Sequence, residues 1–180
     1  GEGLTIEVAN QLMKMYKDGT LKDLIDELND DLNNKINYLK NREYYLTDIC
    51  NAICDGVADD TEEIQKALDF VENTNKTLIF PRAKLIRVTR TLFVGSYTKI
   101  NGNLSTLYLD NPNNTVSTLS SKSFNGGNWC RDIRIYDLGF QTNGVTGNGL
   151  GLARCSNVVL DGLFSYKLYW HLIDLAGCND

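Results

Sequence analysis

The chain has 180 residues, of which 42% are hydrophobic and only two are proline, and its formal net charge is −5. That composition supports one medium domain with an appendage and excludes wholesale disorder and a proline-rich linker. The acidic balance argues against nucleic acid as a partner, and no run of about 18 apolar residues is present for membrane insertion.

Gly1-Glu2-Gly3 has neither a charged n-region nor an apolar h-region, so no signal peptide is expected. Gly1 in place of Met reads as a trimmed or tagged start. The five cysteines are Cys50, Cys54, Cys130, Cys155 and Cys178. Their odd number and wide spacing do not make a disulfide framework. With His171 as the single histidine, a zinc site lacks ligands. Buried free thiols made in a reducing cytoplasm are expected, with no metal and no cofactor.

Residues 5–17 read as an amphipathic helix. Thr5 can cap it, and Ile6, Ala9, Leu12, Met13 and Tyr16 recur at helical spacing. Asp18-Gly19 closes it, with Gly19 at the left-handed C′ position. Thr20 is expected to cap a second helix, with Asp23 in its first turn. Leu21, Ile25, Leu28, Leu32 and Leu39 follow 4-3-4-7 spacing, a short heptad seam interrupted at Lys35. Asp26, Asn29, Asp30, Asn33 and Asn37 form the solvent face. Two readings are open: a parallel oligomeric stem, or an amphipathic helix lying on its own domain. The seam alone does not choose between two and three strands.

From Tyr44 the period changes. Leu46–Cys50 reads as a short strand, and Asp55-Gly56 as a turn. Asp60 is expected to cap a helix with Glu63 completing a capping box. That helix carries Ile64, Ala67, Leu68 and Val71 on one face and ends near Asn73. Thr77–Pro81 is a buried strand closed by proline. Asp59 and Asp60 could act as paired carboxylates, but capping suits their place before a helix better.

The string Asp55 to Leu68, D-G-V-A-D-D-T-E-E-I-Q-K-A-L, resembles the lead-in motif of the pectate-lyase-like (pectin-lyase-like) superfamily. Ile79-Phe80-Pro81 and Lys99–Asn103 match the strands that follow it there. The resemblance implies a mainly β fold, a right-handed single-stranded parallel β-helix, whose N-terminal end is covered by Asp55, Gly56, Asp59, Asp60, Thr61 and the helix. Cys50, Cys54 and the missing glycine after Pro81 depart from the family pattern.

An internal repeat supports the same fold independently. Cys130-Arg131-Asp132-Ile133-Arg134-Ile135, Cys155-Ser156-Asn157-Val158-Val159-Leu160 and Cys178-Asn179-Asp180 share Cys, any residue, Asn or Asp, then an apolar-x-apolar strand. Spacings of 25 and 23 residues mean a solenoid. Cys130, Cys155 and Cys178 should form an interior ladder, and Phe140 and Phe164 a second stack. Glycines within residues 142–149 should serve the bends. Asp180 falls inside a rung motif, so continuation beyond it is expected.

The expected organisation is a helical stem over residues 1–43, followed by an N-terminal cap and first rungs over 44–180. The stem resembles the N-terminal anchors of tail-fibre and appendage proteins from phages of Gram-positive hosts. This implies a homotrimer on the virion. Its stem would dock on tail or connector proteins, and its later rungs would bind or cleave host cell-wall polysaccharide or teichoic acid. A free carbohydrate-active enzyme and a bacterial surface adhesin are the alternatives. Asp137, Asp161 and Asp174 are candidate acids, and His171, Trp170 and Tyr169 a candidate sugar wall. Each is equally a bend or packing residue, and no catalytic residue is assigned.

Overall fold

Two hydrophobic periods divide the chain, and the computed structural model separates the same way. It describes residues 5–40, 42–111, 117–124, 126–143 and 147–179. Residues up to Asn41 form one unit and those from Arg42 another.

The first unit is two helices, α1 (Ile6–Asp18) and α2 (Thr20–Lys40). The Thr5 hydroxyl accepts from Val8 N–H at 3.4 Å, and Gly19 sits at φ 85°, where a side chain is disfavoured. Thr20 is not the cap of α2. It lies inside the first turn, and the Asp18 carboxylate accepts from its N–H and its hydroxyl. The Gly19 carbonyl takes the first helical bonds from Lys22 and Asp23. With Gly19 alone between the helices, the capping of α2 falls to the side chain of Asp18, the last residue of α1.

The second unit is mainly β and parallel throughout. One sheet stacks Glu43–Tyr45, Thr77–Ile79, Lys99–Asn101, Arg134–Tyr136 and Val159–Asp161. A second stacks Leu85–Val88, Thr106–Leu109, Gly139–Thr142 and Phe164–Ser165, and a third Leu92–Val94, Ser117–Ser121, Asn148–Ala153 and Ile173–Ala176. From Thr77 on the chain visits the three in rotation, with a two-stranded pair, Cys130–Arg131 and Cys155–Ser156, at the corner before the first sheet, so every strand pairs with the strand one circuit earlier or later. Alternation within each strand then builds the core. Leu78, Ile100 and Ile135 are successive register partners and all fully buried. Ile86, Leu107 and Phe140 do the same in the second sheet, and Leu92, Leu119 and Leu150 in the third.

Leu46–Ile49 is a helical turn, α3, and not a strand; the strand is Glu43–Tyr45 just before it. Five residues are too few to separate the two periods, and burial of Leu46 with partial burial of Ile49 three residues on fits the helical one.

The first circuit ends in strand edges that would be left unpaired. Helix α4 (Thr61–Val71) closes them, burying Ile64, Ala67, Leu68 and Val71. On its flank the Gln65 side-chain amide pairs both ways with the backbone of Phe93, donating to its carbonyl at 3.0 Å and accepting from its N–H at 2.8 Å. One side chain thus stands in for a neighbouring strand. Replacing Gln65 by Leu keeps the volume and removes both bonds. A loss of about 1–3 kcal/mol is expected in urea unfolding, the cost of orphaning partly buried backbone groups.

Candidate functional site

The turn before α4 is held by carboxylates. Asp55 accepts from Val57 and Ala58 N–H at 2.8 Å each. Those bonds hold its carboxyl below the usual range. Asp59 accepts from the Thr61 hydroxyl at 2.5 Å and the Thr89 hydroxyl at 2.7 Å. Partial burial pulls the Asp59 carboxyl upward, but these bonds outweigh it and the net shift is downward. Thr61 returns its hydroxyl oxygen to Thr89 N–H at 2.8 Å, closing the edge of the second sheet.

The expected capping box is absent. Asp60 holds the N-cap position by its backbone, but its buried carboxylate turns away to Ile53 and Cys54 N–H at 2.7 and 2.8 Å. Glu63 accepts from Asn51 N–H at 3.0 Å. The residues 51–54 loop carries N–H groups near α4 that no strand satisfies, and these two carboxylates serve them. Asp59 and Asp60 are thus both saturated by the protein's own donors. Gly56 packs against Leu85 at φ 80°.

Cys130 and Cys155 are register partners and buried, and Cys178 is half-buried beside them, reached through the Ser156–Asn179 bridge. Cys155 also meets the Ser123 hydroxyl at 3.8 Å. All five thiols are free. Burial pushes the Cys54 thiol up to about 12, and raises Cys155 and Cys50 in the same direction.

Phe140 and Phe164 do not stack. Phe140 is register partner of Ser165 and wholly buried, whereas Phe164 pairs with Gly139 and is exposed. One residue of offset puts the two rings on opposite faces of the sheet. The Phe164 ring lies over Gly139, in space that a Cβ there would fill. Gly149 likewise lies in a strand against the Phe140 ring, not in a bend. Gly147 has φ 108°, residues 144–146 lie outside the described residues, and so does Asp180.

Asp137 and Asp161 share the bend after the first sheet, where Asp137 N–H donates to the Asp161 carbonyl at 3.0 Å. Asp174 is on the third sheet, accepting from Asn148 Nδ2 at 3.2 Å. Asp174 thus stands on a different sheet from Asp137 and Asp161. Tyr169 and Trp170 are exposed and tilted against each other, with ring centroids 6.3 Å apart. His171 is tied by its backbone N–H to Asn148 Oδ1 at 3.0 Å.

In α2, Ile25, Leu28 and Leu32 are exposed and Leu21 is half-buried. The side chain of Leu39 lies outside the described residues. Lys35 bends back to Asp31 at 2.7 Å.

The side chains most suited to holding a ligand were not singled out by the sequence. Two adjoining clefts of about 420 and 610 Å³ share Asn73 and Tyr97. Lys99 and Arg134 line one, and Trp129 and Arg131 line the other. Lys99 and Arg134 are direct register partners on the outer face of the first sheet. Like charges so placed repel and weaken a sheet. Lys99 donates to Asn75 Oδ1 at 2.5 Å, and among the described residues no ion pair to either cation is formed. The Arg131 guanidinium lies 5.2 Å from the Tyr97 ring centroid. Asp132, the carboxylate of the cleft, is taken by Asn157 Nδ2.

Tyr97 also carries strain. The repeat position occupied by Asp132 and Asn157 has left-handed φ values of 57° and 51°, which Asn and Asp tolerate. Tyr97 takes the same place with φ 63°, unusual for a bulky ring. Trp129, half exposed, ends the segment between Ser121 and Cys130, which the next circuit spans with Arg154 alone. The Cys repeat held the signal. Extended back to Gly95, it sets Tyr97 under Asp132 and Lys99 under Arg134.

Among the described residues, no group of three His, Cys, Asp or Glu side chains could hold a metal, and no helix is long and apolar enough to cross a membrane. No family model matches the chain, and neither does any curated protein. Solved structures do resemble it. The ORF18 protein of Geobacillus virus E2 superposes with a TM-score of 0.57 at 19% identity, over 74% of this chain and 27% of its own. PfbA, a surface adhesin of Streptococcus pneumoniae, gives 0.58 at 18% identity, over 68% and 33%. The likeness is one of fold, and the chain spans about a quarter to a third of those chains.

Three outcomes follow from this geometry. Iodoacetamide at pH 8 is expected to spare Cys54, Cys130 and Cys155 in the folded protein and to alkylate all five thiols in urea, read by mass spectrometry. Tyr97→Asn is expected to stabilise by about 0.5–1 kcal/mol, since relief of roughly 1–2 kcal/mol of backbone strain exceeds the about 0.5–1 kcal/mol contact with Arg131. Asp55 and Asp59 have depressed folded values, so their contribution is present above the ordinary carboxylate range and lost below it. Urea midpoints should hold from pH 7 to 5 and fall below about pH 4, less steeply in an Asp55→Asn, Asp59→Asn double variant.

Proposed function

We propose that this chain is the virion-proximal part of a phage tail spike or fibre, in which α2 assembles as a homotrimeric stem and the parallel circuits form a right-handed β-helix shaft. The observation that carries the reading is the exposed seam of α2. Ile25, Leu28 and Leu32 recur at heptad spacing on a helix that buries none of them. Isolated helices of this length gain little from propensity alone, and an apolar seam open to water asks for partner helices. Ile6, Met13 and Tyr16 add exposed apolar surface on α1.

The shaft reading follows from the rotation of the chain through three parallel sheets and from the α4 cap that closes one end of them. A phage protein among the structures of similar fold is consistent with a place on the virion. Host-surface glycan is the partner that such a shaft would present itself to, and tail or connector proteins are the partners of the stem.

Sedimentation equilibrium of the full chain at micromolar concentration tests the reading. A mass near three times 20.2 kDa is expected. Ile25→Asn with Leu28→Asn should give a monomer with reduced helicity and an unchanged β signal. A wild-type monomer at that concentration would overturn the stem.

A further inference from the structure

We infer that the twin cleft around Tyr97 is a binding site for an acidic saccharide, with its anionic group on the Lys99–Arg134 pair and a sugar ring on Trp129 or Tyr97. The inference deepens the reading of a shaft that meets host-surface glycan, and rests on it.

The chemistry is assembled from two circuits and one loop. Register pairing places the Lys99 and Arg134 backbones one strand spacing apart, roughly 4.8 Å, and both side chains line the same cleft. A carboxylate or phosphate has oxygens enough to accept from both an ammonium and a guanidinium in one cleft, and the charge-assisted bonds relieve the repulsion between them. This cationic pair runs against the sign of the chain, whose net charge is −5. Asp132 lines the same cleft and keeps its charge while accepting from Asn157, so it reduces the charge of the pair without cancelling both cations.

The aromatic half suits a sugar ring and not merely an anion. Trp129 is half exposed, and Tyr97 lines both cavities. Arg131 lies near the Tyr97 ring and lines the same cleft, where its guanidinium can meet hydroxyls or a second anion. Strain retained at Tyr97, where the repeat elsewhere uses Asp132 and Asn157, marks a position kept for something other than stability.

The base of the loop that delivers Trp129 is fixed. Lys122 pairs with Asp69 at 2.9 Å and with Glu72, and the Ser123 hydroxyl donates to the Ala153 carbonyl at 2.5 Å.

Calorimetric titration of the full chain with three polymers tests this: oligogalacturonate for a sugar carboxylate, poly(glycerol phosphate) for a phosphodiester, and dextran as the neutral sugar. Oligogalacturonate or poly(glycerol phosphate) should bind, weakening as salt rises, and dextran should not. Lys99→Gln with Arg134→Gln should weaken that binding by about tenfold or more with no loss of thermal stability, since the pair repels. Trp129→Ala should weaken it about fivefold. Equal binding of dextran, no binding at millimolar ligand, or unchanged affinity in the folded variants would overturn the site. So would a DNA duplex bound as tightly and with no effect of Trp129→Ala, which would leave a plain polyanion surface. A trimer that binds no acidic saccharide sinks the cleft alone, and a monomer that binds sinks the stem alone.

Discussion

In-register parallel pairing between successive circuits is the constraint on which the rest depends. Each strand of two to six residues is too short to persist alone, and it keeps its place because the strands before and after it satisfy its backbone. Register then decides everything lateral: which side chain is buried, which stacks on its like, and which is thrust into water. Leu78, Ile100 and Ile135 become one aliphatic column by this means, and Lys99 and Arg134 one cationic pair on the opposite face. The core and the candidate cleft are two sides of the same pairing.

A stack of this kind has ends, and its first end is closed by polar chemistry as much as by apolar contact. Gln65 imitates a strand for Phe93, while Thr61 and Asp59 do so for Thr89. Asp60 and Glu63 feed the N–H groups of the approaching loop. The lead-in motif is thus a set of hydrogen-bond substitutes for a missing neighbour, which accounts for the density of Asp and Thr in it.

Much of this was legible in the sequence. The shift from a heptad to short alternating runs falls close to Arg42, where the second unit begins, and the Asp-rich string leads into an amphipathic helix as read. The cysteine repeat gave the period, because Cys, Asp or Asn at a left-handed corner, and an alternating strand recur together. What escaped was anything one residue finer than the period. Phe140 and Phe164 look equivalent by spacing, yet differ by one in register and so face opposite ways. Leu46–Cys50 is too short for its period to be read. Lys99, Arg131 and Arg134 resemble ordinary surface cations until the repeat is carried back to Gly95, where the Cys marker is lost. The heptad seam was legible as a pattern, whereas its exposure is a property of the folded chain.

The uneven circuits have a consequence for how such a protein can change. Register partners Thr77, Lys99, Arg134 and Val159 are separated by 22, 35 and 25 residues, yet the first sheet keeps its pairing through all of them. Extra length is absorbed at the corners and does not reach the strands. A lineage under pressure to recognise new surfaces can therefore lengthen, shorten or exchange the corner that carries Trp129 while inheriting the column beneath it intact. Novelty at the rim and conservatism in the stack become separable traits, open to selection independently.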